Sequence, residues 1–171
     1  TIQADLDMTI YWRVREKKET KKGRVAVAPG DKFRVELDNT VWVCDGNTFW
    51  QYGSGSKQVV IKDLLDIDLS SHPSQILSTY LTEYDYDTTK ENAKTAVLAW
   101  KADSTTPSSF YRRIEVTVDK KRDLVSKVFV VDRHGNETTY RFTHTKLGEK
   151  IPPATFTFQI PKGAHVLDAR E

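Results

Sequence analysis

The feature that most constrains this chain is a two-residue period in its apolar side chains. Leu6, Met8, Ile10, Trp12 and Val14 alternate with Asp5, Asp7, Thr9, Arg13 and Arg15, broken only by Tyr11. A strand turns successive side chains to opposite sides, so this pattern predicts an extended segment with one dry face and one wet face. Further segments follow the same rule. Phe33, Val35 and Leu37 alternate with charged residues, and Ile114, Val116 and Val118 are separated by Glu115 and Thr117. Further strands read at 24–28, 41–44, 49–52, 57–61, 95–101, 124–131 and 137–144 complete a series broken by turn-forming stretches, among them Pro29-Gly30-Asp31 and Asp45-Gly46-Asn47. The reading is roughly ten strands spaced by about 8 to 14 residues, a barrel or sandwich rhythm.

One stretch departs from the period. Ile76, Leu77, Tyr80 and Leu81 follow helical spacing, and Pro73 behind Ser71 and His72 suits a helix start. This predicts a short amphipathic helix that either completes the core or caps an opening in the sheet. The run Arg15-Glu16-Lys17-Lys18-Glu19-Thr20-Lys21-Lys22-Gly23 reads as a solvated hairpin turn, with docking on acidic lipid headgroups as its functional alternative.

Composition narrows the function classes. The chain has 171 residues, enough for one domain with its own core, and its net charge of +2 lacks the basic excess of a nucleic-acid binder. Phe110-Tyr111-Arg112-Arg113 is a lone aromatic-basic cluster beside Glu115. Cys44 is the only cysteine and reads as a buried inert thiol, and the four histidines lack metal-ligand spacing, so no cofactor is expected. Asp132 and His134 sit in a turn sequence, and Asp63, Asp66 and Asp68 read as a wet helix face. No nucleophile elbow, Walker loop or dinucleotide fingerprint occurs. The expectation is a protein that is not an enzyme. The opening at Thr1, inside an alternating segment, suggests a matured or trimmed N-terminus.

Three ordered motifs then carry a resemblance. They are Val41-Trp42-Val43-Cys44-Asp45-Gly46-Asn47-Thr48-Phe49-Trp50-Gln51-Tyr52 behind Phe33-Arg34-Val35-Glu36, the hairpin from Val131 to Phe142, and the tail from Ala154 to Asp168. Together they resemble the LolA family of periplasmic lipoprotein carriers. The resemblance implies an incomplete antiparallel β-barrel, a half-barrel of the LolA and LolB type, closed by a short helical lid over an apolar cavity. It implies one carrier domain over 1–171, with lid helices at about 63–82 and without the family's N-terminal helix. It implies a periplasmic monomer that takes acylated lipoproteins from an inner-membrane transporter to an outer-membrane acceptor. A carrier or sensor of another lipid or glycolipid is the alternative. Under this reading Met8, Ile10, Trp12, Phe33, Val35 and Trp42 line the sheet side of the cavity. Leu65, Ile76, Leu77 and Leu81 line the lid side. Where the family places a lid-bonding arginine, this chain has Ala28 and Pro29, flanked by Arg24 and Arg34.

Overall fold

The computed structural model describes residues 1–67, 86–101 and 111–170. Their strands are β1 (Ile2–Trp12), β2 (Lys17–Ala28), β3 (Lys32–Leu37), β4 (Thr40–Asp45), β5 (Thr48–Gly53), β6 (Gln58–Asp63), β7 (Asp87–Glu91), β8 (Thr95–Lys101), β9 (Tyr111–Asp119), β10 (Leu124–Asp132), β11 (Glu137–Leu147) and β12 (His165–Asp168). Two 3-10 turns, Leu64–Asp66 and Pro153–Phe156, are the helical elements among the described residues.

The chain forms two compact units, and β1, β2 and β11 contribute part of their length to each. Among the described residues the first unit holds 1–5, 22–67 and 144–170. Its sheet runs β12-β6-β5-β4-β3-β2 and continues with the start of β1 and the end of β11. Every pairing from β2 to β6 is antiparallel, while β12 joins β6 in parallel. The second unit holds 6–21, 86–101 and 111–143, with the order β2-β1-β11-β10-β9-β8-β7. The fold is thus mainly β, and its strand order ends at β7 and β12 without closing.

Tight turns set the registers. Between β4 and β5, Gly46 has a φ of 106°, a backbone conformation that favours glycine. The Asp45 carboxylate accepts the N–H groups of Asn47 and Thr48, which locks that corner and places Phe49 opposite Cys44. Most strands bury apolar side chains, and β2 and β4 do so on both sides, at Val25 and Ala26 and at Val43 and Cys44. Val25, Phe33, Val35, Leu37, Cys44 and Phe49 are buried in the first unit, and Ile114, Val116, Val128, Val130, Tyr140 and Phe142 in the second. Each such side chain contributes about 1.5–3 kcal/mol by leaving water.

Three expectations need correction. The charge run is strand rather than turn from Lys17 onward, and the reversal occupies residues 13–16. Pairing with β1 satisfies the backbone there, so sheet context outweighs the weak strand preference of lysine and glutamate. Val14 accordingly leaves the alternating strand and stands 89% exposed at the reversal. Finally, the strands number twelve among the described residues, because β7 and β12 add two. Both are edge strands with every residue exposed, so neither has a buried row that an apolar pattern would reveal.

Candidate functional site

Residues paired directly across antiparallel strands point to the same side, so register alone assembles a surface. In the first unit Val25 lies opposite Val35, and Val35 opposite Trp42. The adjoining row is Val27, Phe33, Cys44 and Phe49. Phe33, Val35 and Trp42, drawn from alternation, therefore share one face. Phe33 and Val35 are buried and Trp42 is half-buried. The rings of Phe33 and Phe49 lie 6.0 Å apart at 47°, a tilted aromatic pair. The Cys44 Sγ accepts the Gly46 N–H at 3.4 Å, and burial pushes the thiol pKa up, which keeps it neutral. These two rows carry no titratable carboxylate or amine between β2 and β5.

The other face of the same unit is built differently. Arg34 and Glu36 project there as an ion pair at 2.6 Å, and the Arg34 guanidinium reaches the Thr155 carbonyl oxygen at 3.5 Å. The C-terminal segment packs against this side: Ile151 and Phe156 join Ala26 and Ala28, and Phe158 lies against Trp50 and Tyr52 with ring centroids 6.4 and 6.1 Å away. Here too lies a concavity of about 520 Å³ bordered by Asp5, Arg24, Arg34, Glu36 and His144. Asp5 bridges His144 at 2.9 Å and Arg24 at 3.6 Å. Both arginines that flank Ala28 and Pro29 therefore belong to the charged face rather than the dry one.

In the second unit Leu98 lies opposite Val116, Val116 opposite Val128, and Val128 opposite Tyr140. Trp100, Ile114 and Val130 form the neighbouring row. Arg113, Glu115 and Phe129 project on the reverse side, where Arg113 pairs with Glu115 and stands 5.9 Å from the Phe129 ring centre. Met8, Ile10 and Trp12 occupy one side of β1. Met8 is buried, Ile10 and Trp12 are half-buried, and the Trp12 indole hydrogen-bonds the Glu19 carboxylate. Trp12 thus ends the apolar row with its polar atom already engaged.

The remaining expected residues separate from these. Leu65 sits on the 3-10 turn after β6 and is 97% exposed. Ile76, Leu77 and Leu81 lie outside the described residues, as does most of the expected lid segment. Sequence reasoning left out Val25, Leu37 and Phe49 of the first unit and Leu98, Trp100, Val128 and Tyr140 of the second. The clean alternation of Ile114, Val116 and Val118 was the available signal for the second set. Asp132 serves its own turn, accepting the His134 and Asn136 N–H groups and the Asn136 side-chain amide. Among the described residues no three His, Cys, Asp or Glu side chains gather as a metal site, and no helix is long and apolar enough to cross a membrane.

Residues 10–159 match the family model described as outer membrane lipoprotein carrier protein LolA. An outer-membrane lipoprotein carrier protein of Chromobacterium violaceum is 29% identical over 172 residues, covering 98% of this chain and 81% of the relative. One from Pseudomonas putida is 28% identical over 130 residues, covering 74% of this chain and 59% of the relative. In fold, the chain is similar to an uncharacterized conserved protein from Thermus thermophilus, with a TM-score of 0.62 and 17% identity over 98% of this chain and 89% of that one.

Proposed function

The chain belongs to the LolA family of outer membrane lipoprotein carrier proteins, and from that premise we propose that it holds the acyl chains of lipoproteins on its apolar sheet face. The observation that carries this reading is the two-sidedness of the first unit. Val25, Phe33, Val35 and Trp42 form a face without charge, while Arg24, Arg34 and Glu36 stand on the reverse. Acyl chains gain about 0.8 kcal/mol for each CH₂ withdrawn from water, and they need no polar partner along their length. A surface of this kind binds by area and releases by exchange, with no bond made or broken.

In this reading the protein works in the periplasm as one carrier domain, with the segment 63–82 as its lid. Met8, Ile10 and Trp12 extend the sheet side, and Leu65, Ile76, Leu77 and Leu81 serve the lid side. Cargo arrives from an inner-membrane transporter and leaves to an outer-membrane acceptor. One observation favours a second reading, a carrier or sensor of another lipid or glycolipid on the same scaffold. Arg24 and Arg34, which flank the positions where the family has its lid-bonding arginine, both stand on the charged face.

Displacement of a fluorescent fatty-acyl probe tests the site. The wild-type chain takes up the probe, and an acylated lipopeptide displaces it. Phe33→Glu and Trp42→Glu lower probe affinity by at least about tenfold, since each places a charged carboxylate in an apolar row. Trp42 is half-buried, so its variant stays folded and separates binding from stability. Unchanged uptake in a folded Trp42→Glu chain would remove this face from the site. Displacement by a glycolipid but not by an acylated lipopeptide would favour the second reading.

A further inference from the structure

The reversal between β1 and β2 presents Arg13, Val14, Arg15, Lys17 and Lys18 to solvent, with Val14 89% exposed. From Arg13 to Lys21, five basic and two acidic residues give a net charge of +3, when the whole chain carries +2. This tip is fixed to its neighbour. The Arg13 N–H donates to the Asn136 side-chain oxygen at 3.1 Å, and the Arg13 side chain packs so closely over Gly135 that a Cβ there would lie 2.9 Å from its Cδ. The β10–β11 turn thereby adds the exposed Arg133 and His134 to the same end of the second unit. Its acid, Asp132, is occupied by three hydrogen bonds within its own turn, and Glu19 is held by Lys17 at 3.1 Å.

We propose that these paired hairpin tips dock the protein on an anionic bilayer surface, with the basic side chains among the headgroups and Val14 entering the interfacial layer. The composition selects a lipid partner over a protein one. Protein interfaces are depleted in lysine and centre on a buried apolar or aromatic core, whereas this tip offers lysines around a single valine. A charged lipid surface rewards each Lys or Arg near it without demanding a matched partner, and long basic side chains reach headgroups while an apolar neighbour goes deeper.

Co-sedimentation with vesicles decides this, using phosphatidylcholine alone and phosphatidylcholine with about one third phosphatidylglycerol, at low salt and at about 0.5 M. The wild-type chain binds the anionic vesicles about tenfold or more tightly than the neutral ones, and salt removes most of the difference. Arg15→Glu combined with Lys17→Glu and Lys18→Glu abolishes the preference. The same number of reversals at Lys94, Lys121 and Arg122 lowers it by no more than about threefold. Val14→Asn, which leaves the charge unchanged, weakens binding severalfold at unchanged salt dependence. Absent or equal binding to the two vesicle types overturns the proposal, and so does an equal loss in the two triple variants. Cargo is omitted from the assay, so its outcome is independent of the acyl-carrier reading.

Discussion

At the scale of single residues, Cys44 and Glu19 show how surroundings decide chemistry. Cys44 is fully buried with its thiol pKa raised, chiefly by desolvation, so little thiolate forms near neutral pH. A thiol reagent should label the native chain at least about a hundredfold more slowly than the chain in urea, and fast native labelling would contradict the buried row. Glu19 is the reverse case. Hydrogen bonds from Lys17 and Trp12 hold its pKa below the usual carboxylate value, so its contribution to folding is present above the unfolded pKa and lost as pH falls through the folded one. Glu19→Gln should therefore lower Tm near neutral pH and match the wild type once both carboxyl states are protonated. An equal Tm difference at every pH would show that the carboxylate charge is irrelevant. That Phe33 and Val35 share one side of β3 was legible from alternation, whereas the placing of Trp42 opposite Val35 comes from the register. The exposure of Leu65 was not legible, since it follows the last alternating residue of β6, where neither the strand nor the helical period applies.

Among the elements, a glycine in β2 and the 3-10 turn Pro153–Phe156 show most about the first unit. Gly23 reads as the end of a charged turn, yet it sits within β2 opposite Leu37, where a Cβ would meet the Glu36 carbonyl oxygen at 1.6 Å. That atom is backbone and cannot yield without parting β2 from β3. Gly23→Ala should cost about 2–4 kcal/mol by denaturant unfolding, and an unchanged midpoint would disprove the close approach. Phe156 presents a different situation. It lies buried with Ile151 against Ala26 as part of the segment that covers the charged face. Phe156→Ala should lose about 3–5 kcal/mol. β8 and β10 were readable to within a residue, because their apolar residues span the whole strand. β7 and β12 were not, because edge strands with exposed residues carry no apolar period. The run after Arg15 misled for a related reason: lysines and glutamates favour loops until a paired strand supplies the hydrogen bonds.

In the whole molecule, an unclosed β fold keeps one side of β2 to β5 in its first unit free of charged residues and gives the other to ion pairs and a packed tail. The sequence announced the β class through its period and the carrier family through the order of its motifs. Which rows would face one another depended on register, which a single chain read by eye does not contain. Native mass spectrometry of the protein purified from a periplasm that supplies lipoproteins decides whether the apolar face holds acyl chains. The account predicts a wild-type chain carrying acylated lipoprotein, and a folded Trp42→Glu chain from the same preparation carrying none. A wild-type chain that arrives empty, or a Trp42→Glu chain equally loaded, would contradict it.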